Sequence, residues 1–440
     1  MLMKKWLRLC LVLLLPLNNL HAQALYYPPT GSAVWDTLSP ASLGWCTGKI
    51  DSLYQYLNTT NTKGFLLLKD GRIVLEKYFG TFTQDSLWYW ASAGKTLTAV
   101  TIGIAQQEGK LSIQDSTSKY LKSGWTSCAA GSESAIRIRH QLTMTTGFDD
   151  GVTDNKCTLP SCLQCIAAPG TRWAYHNAPY TLLQRVLDSA TGNFNIYFNQ
   201  KLRNPIGMNG VWIVSGTYDH VYYSTPRSAA RFGLLMLGKG VWNGTPILTD
   251  TAYFGQMTRS SQAINPAYGY LWWLNGKVSF HLPGTQVSFP GTLMPHAPAD
   301  VIAALGMNGQ IINVAPSQGL VLVRMGNVAN SGEVSAAYND TIWVKLNAVM
   351  CGNHTAVPGM QDAPSLFSTY PQPARDVAHI TLPGEMRGDF NVEILTMAGQ
   401  RLLSVMNSTA VDVAALPPGL YLLRLWNAGG LWRSKILIAR

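Results

Sequence analysis

The chain has 440 residues, too many for one compact core of ordinary size, so one large domain plus a smaller one is expected. Hydrophobic residues make up 47% and charged residues only 13%, which excludes a disordered chain and a densely charged surface. The formal net charge is +10, but no dense Lys/Arg cluster stands outside the first residues, which argues against nucleic-acid binding.

Residues 1–22 carry Lys4, Lys5 and Arg8 ahead of a short apolar run from Leu9 to Leu17, and small residues at Ala22 and, just beyond, Ala24 offer a cleavage site. That pattern is a signal peptide, too short for a membrane span, and no later run approaches the roughly 18 apolar residues a spanning helix needs. Export gives the cysteines a meaning. Cys10 leaves with the signal, and Cys46, Cys128, Cys157, Cys162, Cys165 and Cys351 remain. An even set in an exported chain suggests disulfides, with fifteen connectivities open. The run "CTLPSCLQC" has no His at ligand spacing behind it, so no metal site and no cofactor is expected.

A first helix is expected over 44–58. A hairpin follows over 63–80, where two apolar runs flank Asp70-Gly71, the dipeptide of a tight turn. A helix from Ser92 to Gln107 comes next, closed by Gly109. Residues 110–220 read as helical with long loops, and 227–240 as an amphipathic helix. Apolar runs in 299–327, broken at Asn308-Gly309 and Pro316–Gly319, read as strands, and 332–350 as a closing helix. The fold class is therefore α+β: an antiparallel sheet flanked by helices, with a helical subdomain inserted. A polar, Pro/Gly-bearing linker over 352–367 separates residues 23–351 from 368–440, which read as a small all-β sandwich.

The chemistry centres on Ser92 and Lys95 in "WYWASAGKTLTAVTIGIA". A serine hydroxyl needs a base to become a nucleophile. Positions i and i+3 of a helix share a face, so the amine lies one turn away. A lysine serves as that base only when burial or nearby positive charge brings its pKa well below about 10.4. A second Ser-x-x-Lys, Ser116 to Lys119, follows Asp115 and reads as a solvated turn. Tyr175-His176-Asn177 stands just before a helical run, while Tyr56-x-Asn58 and Tyr197-x-Asn199 read as packing residues. His140 and His176 are tempting bases, read as structural. Trp88, Trp90, Trp272 and Trp273 are candidates for an acyl pocket, although aromatics more often fill cores. Arg227 reads as a helix-start contact.

Ser92-x-x-Lys95, Tyr175-x-Asn177 and a Gly-bearing turn before a strand, in that order, resemble the serine β-lactamase and penicillin-binding family. The phrases "IRIRHQLTMTTGF", "STPRSAARFGLLMLGKGVWNG" and "YGYLWWLNG" are similar to its class C-related branch of lactamases, esterases and amide hydrolases. The resemblance implies Ser92 as the acylated nucleophile, with Lys95 and Tyr175 sharing proton transfer. It implies Asn177 as a substrate-amide or Lys95 contact, and the N–H groups of Ser92 and Gln310, in the turn of Asn308 and Gly309, as an oxyanion hole. It also implies that the first and last helices pack together, joined by Cys46–Cys351, with Cys128 pairing inside the 157–165 cluster. The third motif departs from the family. Met307-Asn308-Gly309 lacks the usual leading Lys or His, which favours a small-molecule ester or uncharged amide or peptide over a β-lactam. A D-Ala peptidase or β-lactamase is the alternative enzyme, and a catalytically idle surface binding protein the alternative of another class.

The tail resembles the sorting domain of type IX secretion through "YPQPARDVAHITL", "VEILTMAGQRLL", "VDVAALPPGLYLLRLW" and "KILIAR", although Gln372 replaces the commoner Asn. That implies the type IX machinery as partner and a secreted or cell-surface location. An adhesive or carbohydrate-binding sandwich is the bland reading.

Overall fold

The computed structural model describes residues 25–328, 334–351, 369–371, 374–382, 388–396, 401–427 and 430–439. The expected signal peptide and the 352–367 linker lie outside the described residues. The chain divides into two compact units, Met1–Gly352 and Asn353–Arg440.

In the first unit, helix α1 (Ile50–Thr59) leads into β1 (Thr62–Lys69) and β2 (Arg72–Tyr78). Asp70 and Gly71 take φ of 48° and 86°, the left-handed pair that a two-residue hairpin turn demands. After the short β3 (Trp88–Tyr89) comes helix α2 (Lys95–Gln107). Lys95 to Ala105 are all buried, so α2 is a central helix, enclosed on every side because beyond Lys95 it carries no charge and its polar residues in that stretch are threonines. Helix α3 (Asn177–Thr191) packs against it. A hairpin of β4 (Val211–Ser215) and β5 (Asp219–Ser224) then pairs with β3 in the order β3-β5-β4.

Helix α4 (Pro226–Leu237) precedes β6 (Trp273–Leu274), β7 (Ile302–Gly306), β8 (Gln310–Ala315) and β9 (Leu320–Gly326), and α5 (Ala336–Val349) closes the unit. The main sheet runs β2-β1-β9-β8-β7-β6, antiparallel throughout. Every residue of β7, β8 and β9 is buried, because helices cover both faces. Successive side chains alternate between faces. Ile312 meets Gly233 of α4, while Asn313 exchanges hydrogen bonds with Asn339 of α5 at 2.7 and 2.9 Å. Each fully buried aliphatic side chain here contributes roughly 1.5–3 kcal/mol.

Several expectations need correction. The first helix begins at Ile50, after two short 3₁₀ turns, rather than at residue 44. Ser92 lies in a 3₁₀ turn, Ala91–Gly94, and the α-helix starts only at Lys95. The stretch 110–220, read as helical, also contains the β4–β5 hairpin, whose β-branched and aromatic residues pair with β3. Disulfides join Cys46 to Cys351, Cys128 to Cys165, and Cys157 to Cys162.

The second unit holds a three-stranded and a four-stranded antiparallel sheet. Residues of both, including Val411 from one and Val392, Leu423 and Ile436 from the other, form a single apolar core.

Candidate active site

The turn that presents Ser92 is fixed from several sides. Trp90 is buried; its N–H donates to Tyr222 O at 2.8 Å and its Nε1–H to Ser224 Oγ at 2.8 Å. Ala91 follows with φ of 46°, a left-handed conformation that costs a non-glycine residue about 1–2 kcal/mol. Gly306 lies flat against this turn, where a Cβ would come within 2.4 Å of Trp90 O and 3.0 Å of Ala93 N. The result is a half-buried Ser92 at the floor of a cleft of about 280 Å³.

Lys95 opens α2 and is only 2% exposed. Its Nζ donates to Ser92 Oγ at 2.7 Å. The amine stands 4.4 Å from the ring centroid of Tyr180 and 5.0 Å from that of Tyr175. Tyr175 is buried and stacks on Trp273 at 5.8 Å between ring centroids. Asn177 is the first residue of α3, and its Nδ2 donates to Asn155 Oδ1 at 2.9 Å. Asn155 O accepts from the Ala178 amide at 2.8 Å. The loop bearing Asn155 is closed by the Cys157–Cys162 and Cys128–Cys165 bridges, so the cysteine-rich insert forms a wall of the cleft. Lys156 of that loop pairs with Asp219 of β5 at 2.8 Å, and both line the cleft.

The third motif is placed by the sheet. Just before β7, Val301 O accepts from the Asn275 amide at 2.9 Å, so the backbone of residue 301 faces away from β8. Strand alternation then turns 303 and 305 outward, and 302, 304 and 306 toward β8. Gly306 is extended, at φ −132° and ψ 158°, and faces Gln310 across the hairpin. Its carbonyl points to β8, so the trans peptide aims the Met307 N–H at the free edge, beside Ser92. Met307, not Gln310, lines the cleft. Gln310 is 2% exposed, and its side chain donates to Gly326 O at 2.7 Å and accepts from Gly326 N at 3.1 Å. The amide assigned to Gln310 from sequence is thus turned into the ladder, three residues past the edge. Asn308, at φ 62°, donates to Tyr89 Oη at 2.8 Å, and Gly309 takes φ 76°.

The remaining candidates fall outside this cluster. Lys119 of the second Ser-x-x-Lys is exposed and pairs with Asp115 at 2.8 Å. Burial holds the His140 and His176 imidazoles neutral, pushed down to about 4. His140 Nδ1 accepts from the Arg137 amide, a helix-capping contact, and neither ring nitrogen of His176 has a partner among the described residues. Trp90, Trp272 and Trp273 are core residues, and the cleft is walled instead by Tyr89, Tyr180 and Tyr223. Arg227 is paired with Glu76 at 2.7 Å. Sequence reasoning missed Tyr180, although it follows Asn177 at helical i, i+3 spacing. It also missed Lys156 and Asp219, which are far apart in the chain and carry no local signal. The three cysteines of the insert are bonded in disulfides, and among the described residues no cluster of three or more metal-ligating side chains occurs. Among them, too, no helix is long and apolar enough to cross a membrane.

Comparison with known proteins identifies the family and the fold. The Beta-lactamase family profile covers residues 57–346, and that of the secretion system C-terminal sorting domain covers 368–439. An uncharacterized protein of Alkalihalophilus pseudofirmus is 26% identical over 307 residues, 61% of this chain and 84% of that protein. A Bacteroides dorei structure provisionally designated a beta-lactamase superposes with a TM-score of 0.55 at 18% identity, covering 70% of this chain and 99% of that one. A Bacillus anthracis structure provisionally designated a 6-aminohexanoate-dimer hydrolase gives 0.55 at 17%, covering 71% and 87%. These structures share the fold. With the family profile spanning most of the chain and a sorting profile on its tail, the protein belongs to the β-lactamase family of serine hydrolases and carries a sorting domain for type IX secretion to the cell surface or medium.

Proposed function

We propose that the protein cleaves an ester or an uncharged amide through an acyl-enzyme on Ser92. The observation that carries this reading is the Lys95 Nζ held 2.7 Å from Ser92 Oγ at the floor of an open cleft. Ser92 Oγ attacks the substrate carbonyl carbon while its proton crosses that 2.7 Å contact to the Lys95 amine, which must be unprotonated and turn its lone pair toward Oγ to accept it, with Tyr175 sharing the transfer. The carbonyl oxygen becomes an oxyanion between the amides of Ser92 and Met307. Losing one such donor typically costs about 100- to 1000-fold in rate. Collapse of the tetrahedral adduct breaks the C–O or C–N bond, and the proton moves to the leaving oxygen or nitrogen. Water then attacks the acyl carbon by the reverse proton path, releasing the acid and restoring Ser92. Asn177, braced by Asn155, is suited to orient the substrate amide or the Lys95 side chain.

Two features support an uncharged substrate. The edge strand and turn from Ala304 to Gly309 hold no Lys or His at the third motif, and the cleft's Lys156 is already paired with Asp219.

A fluorophosphonate probe is expected to label the wild type and not Ser92→Ala, and that substitution is expected to lower p-nitrophenyl ester hydrolysis by about a thousandfold or more. A folded wild type that takes no label would favour an idle binding protein. Fast acylation by a fluorescent penicillin would favour the D-Ala peptidase or β-lactamase alternative.

A further inference from the structure

Arg324 interrupts the apolar strand "LVLVRMG" and is fully buried. Burying a charge is costly unless its hydrogen bonds are met, so a guanidinium here calls for a reason. Its Nη1 donates to Asn308 O at 2.8 Å and to Gly309 O at 2.9 Å. Its Nη2 donates to Thr60 O at 2.8 Å and its Nε to Thr62 Oγ1 at 3.1 Å, with the Tyr338 ring 5.0 Å away. Two glycines make the room. A Cβ on Gly309 would lie 2.7 Å from Nη1, and one on Gly326 would lie 2.8 Å from Nη2. The remaining carbonyl of the turn, Met307 O, accepts from Gln310 Nε2 at 3.2 Å. All three carbonyls of Met307–Gly309 are therefore held from within the sheet. Burial pushes the Arg324 pKa down, but a guanidinium remains protonated at neutral pH.

We propose that Arg324 is the positioning residue of the oxyanion site: from behind the turn it locks the Asn308 and Gly309 carbonyls and supplies the positive charge that Met307-Asn308-Gly309 lacks at its front. The role rests on the acyl-enzyme reading above, because it acts through the Met307 amide. A cation behind the turn, with the peptide planes fixed, favours negative charge developing at the Met307 N–H without reorganisation during reaction. Gln310, read from sequence as a donor, becomes the second member of this frame.

The test uses the full chain with Arg324→Gln, Arg324→Lys and Gly309→Ala, each checked by thermal melting. Arg324→Gln is expected to lower kcat on p-nitrophenyl acetate about 10- to 100-fold with KM within about threefold. Arg324→Lys, which restores the charge but not the paired hydrogen bonds, is expected to recover part of that loss. Hydrogen exchange of the 303–312 segment is expected to accelerate in Arg324→Gln. A folded Arg324→Gln with kcat within twofold of wild type, a loss confined to KM, or Lys no better than Gln would overturn the proposal. If neither arginine variant folds, Gly309→Ala decides: its methyl crowds the guanidinium, and an unchanged kcat overturns the role. Absence of Ser92-dependent activity in the wild type would instead strike the acyl-enzyme reading. The exchange arm would then judge the hold of Arg324 on the turn by itself, and unchanged exchange would overturn it.

Discussion

Lys95 and Lys119 share one spacing from a serine and meet opposite fates. Lys95 heads a helix with no charged neighbour for a dozen residues, so the helix carries it into the interior. Lys119 follows Asp115 and stays in water, paired with it. His176 offers a test at the same scale. Burial, aided by Arg172 and opposed by Asp150 and Asp149, holds it at about 4, below the roughly 6.5 of an unfolded histidine. Between those values the unfolded chain binds more protons than the folded one, so stability rises with pH there. The contribution is complete above about 6.5 and is lost as pH falls toward 4; His140 acts in the same direction. Melting temperatures measured from pH 7.5 to 4 are expected to fall through this window, and less steeply in His176→Leu. Since neither ring nitrogen has a partner among the described residues, His176→Leu is expected to change stability at pH 7 by less than about 1 kcal/mol. A pH dependence identical to wild type would show that His176 ionises freely in the folded protein.

At the scale of elements, α2 controls the site because both Ser92 and Lys95 depend on where it lies. Gly103 is buried where α2 meets Tyr253, whose hydroxyl donates to Ala99 O at 2.7 Å. A Cβ at residue 103 would fall 2.4 Å from the Tyr253 ring. Gly103→Ala is therefore expected to cost about 1–3 kcal/mol in a denaturant melt. A variant as stable as wild type would mean that this crossing adapts more easily than its contacts imply. The elements also mark where sequence reasoning stopped. The Asp70-Gly71 hairpin was legible because its turn chemistry is local. The β4–β5 hairpin was not read, although Val211–Ser215 is rich in β-branched residues, because its third partner, β3, lies more than a hundred residues upstream. The start of α2 slipped from Ser92 to Lys95 because the turn bends at Ala91, where nothing in an alanine announces a left-handed backbone.

At the scale of the first unit, Cys46 and Cys351 tie the segment before α1 to the end of α5, a closure of 305 residues. The Cys46 amide also donates to Val349 O at 2.8 Å, so backbone and disulfide fasten the same corner. Replacing both cysteines by alanine is expected to destabilise the protein by roughly 2–5 kcal/mol, read as a fall in melting temperature. Labelling of Ser92 in the surviving folded fraction is expected to be unaffected, since the bridge lies outside the cleft lining. An unchanged melting temperature would show that helix packing alone fastens the corner.

By itself the sequence determined the pairing of Ser92 with Lys95, the order of the motifs, the antiparallel α+β class and the distinct tail, because each depends on residues close together in the chain or on composition. Only the tertiary structure decided which amide faces the cleft, that Tyr180 flanks Lys95, that Lys156 meets Asp219, and that Arg324 backs the turn. Those facts follow from strand register and from packing between distant segments, and the direction of a peptide plane at a sheet edge is set by a partner strand that local sequence does not name.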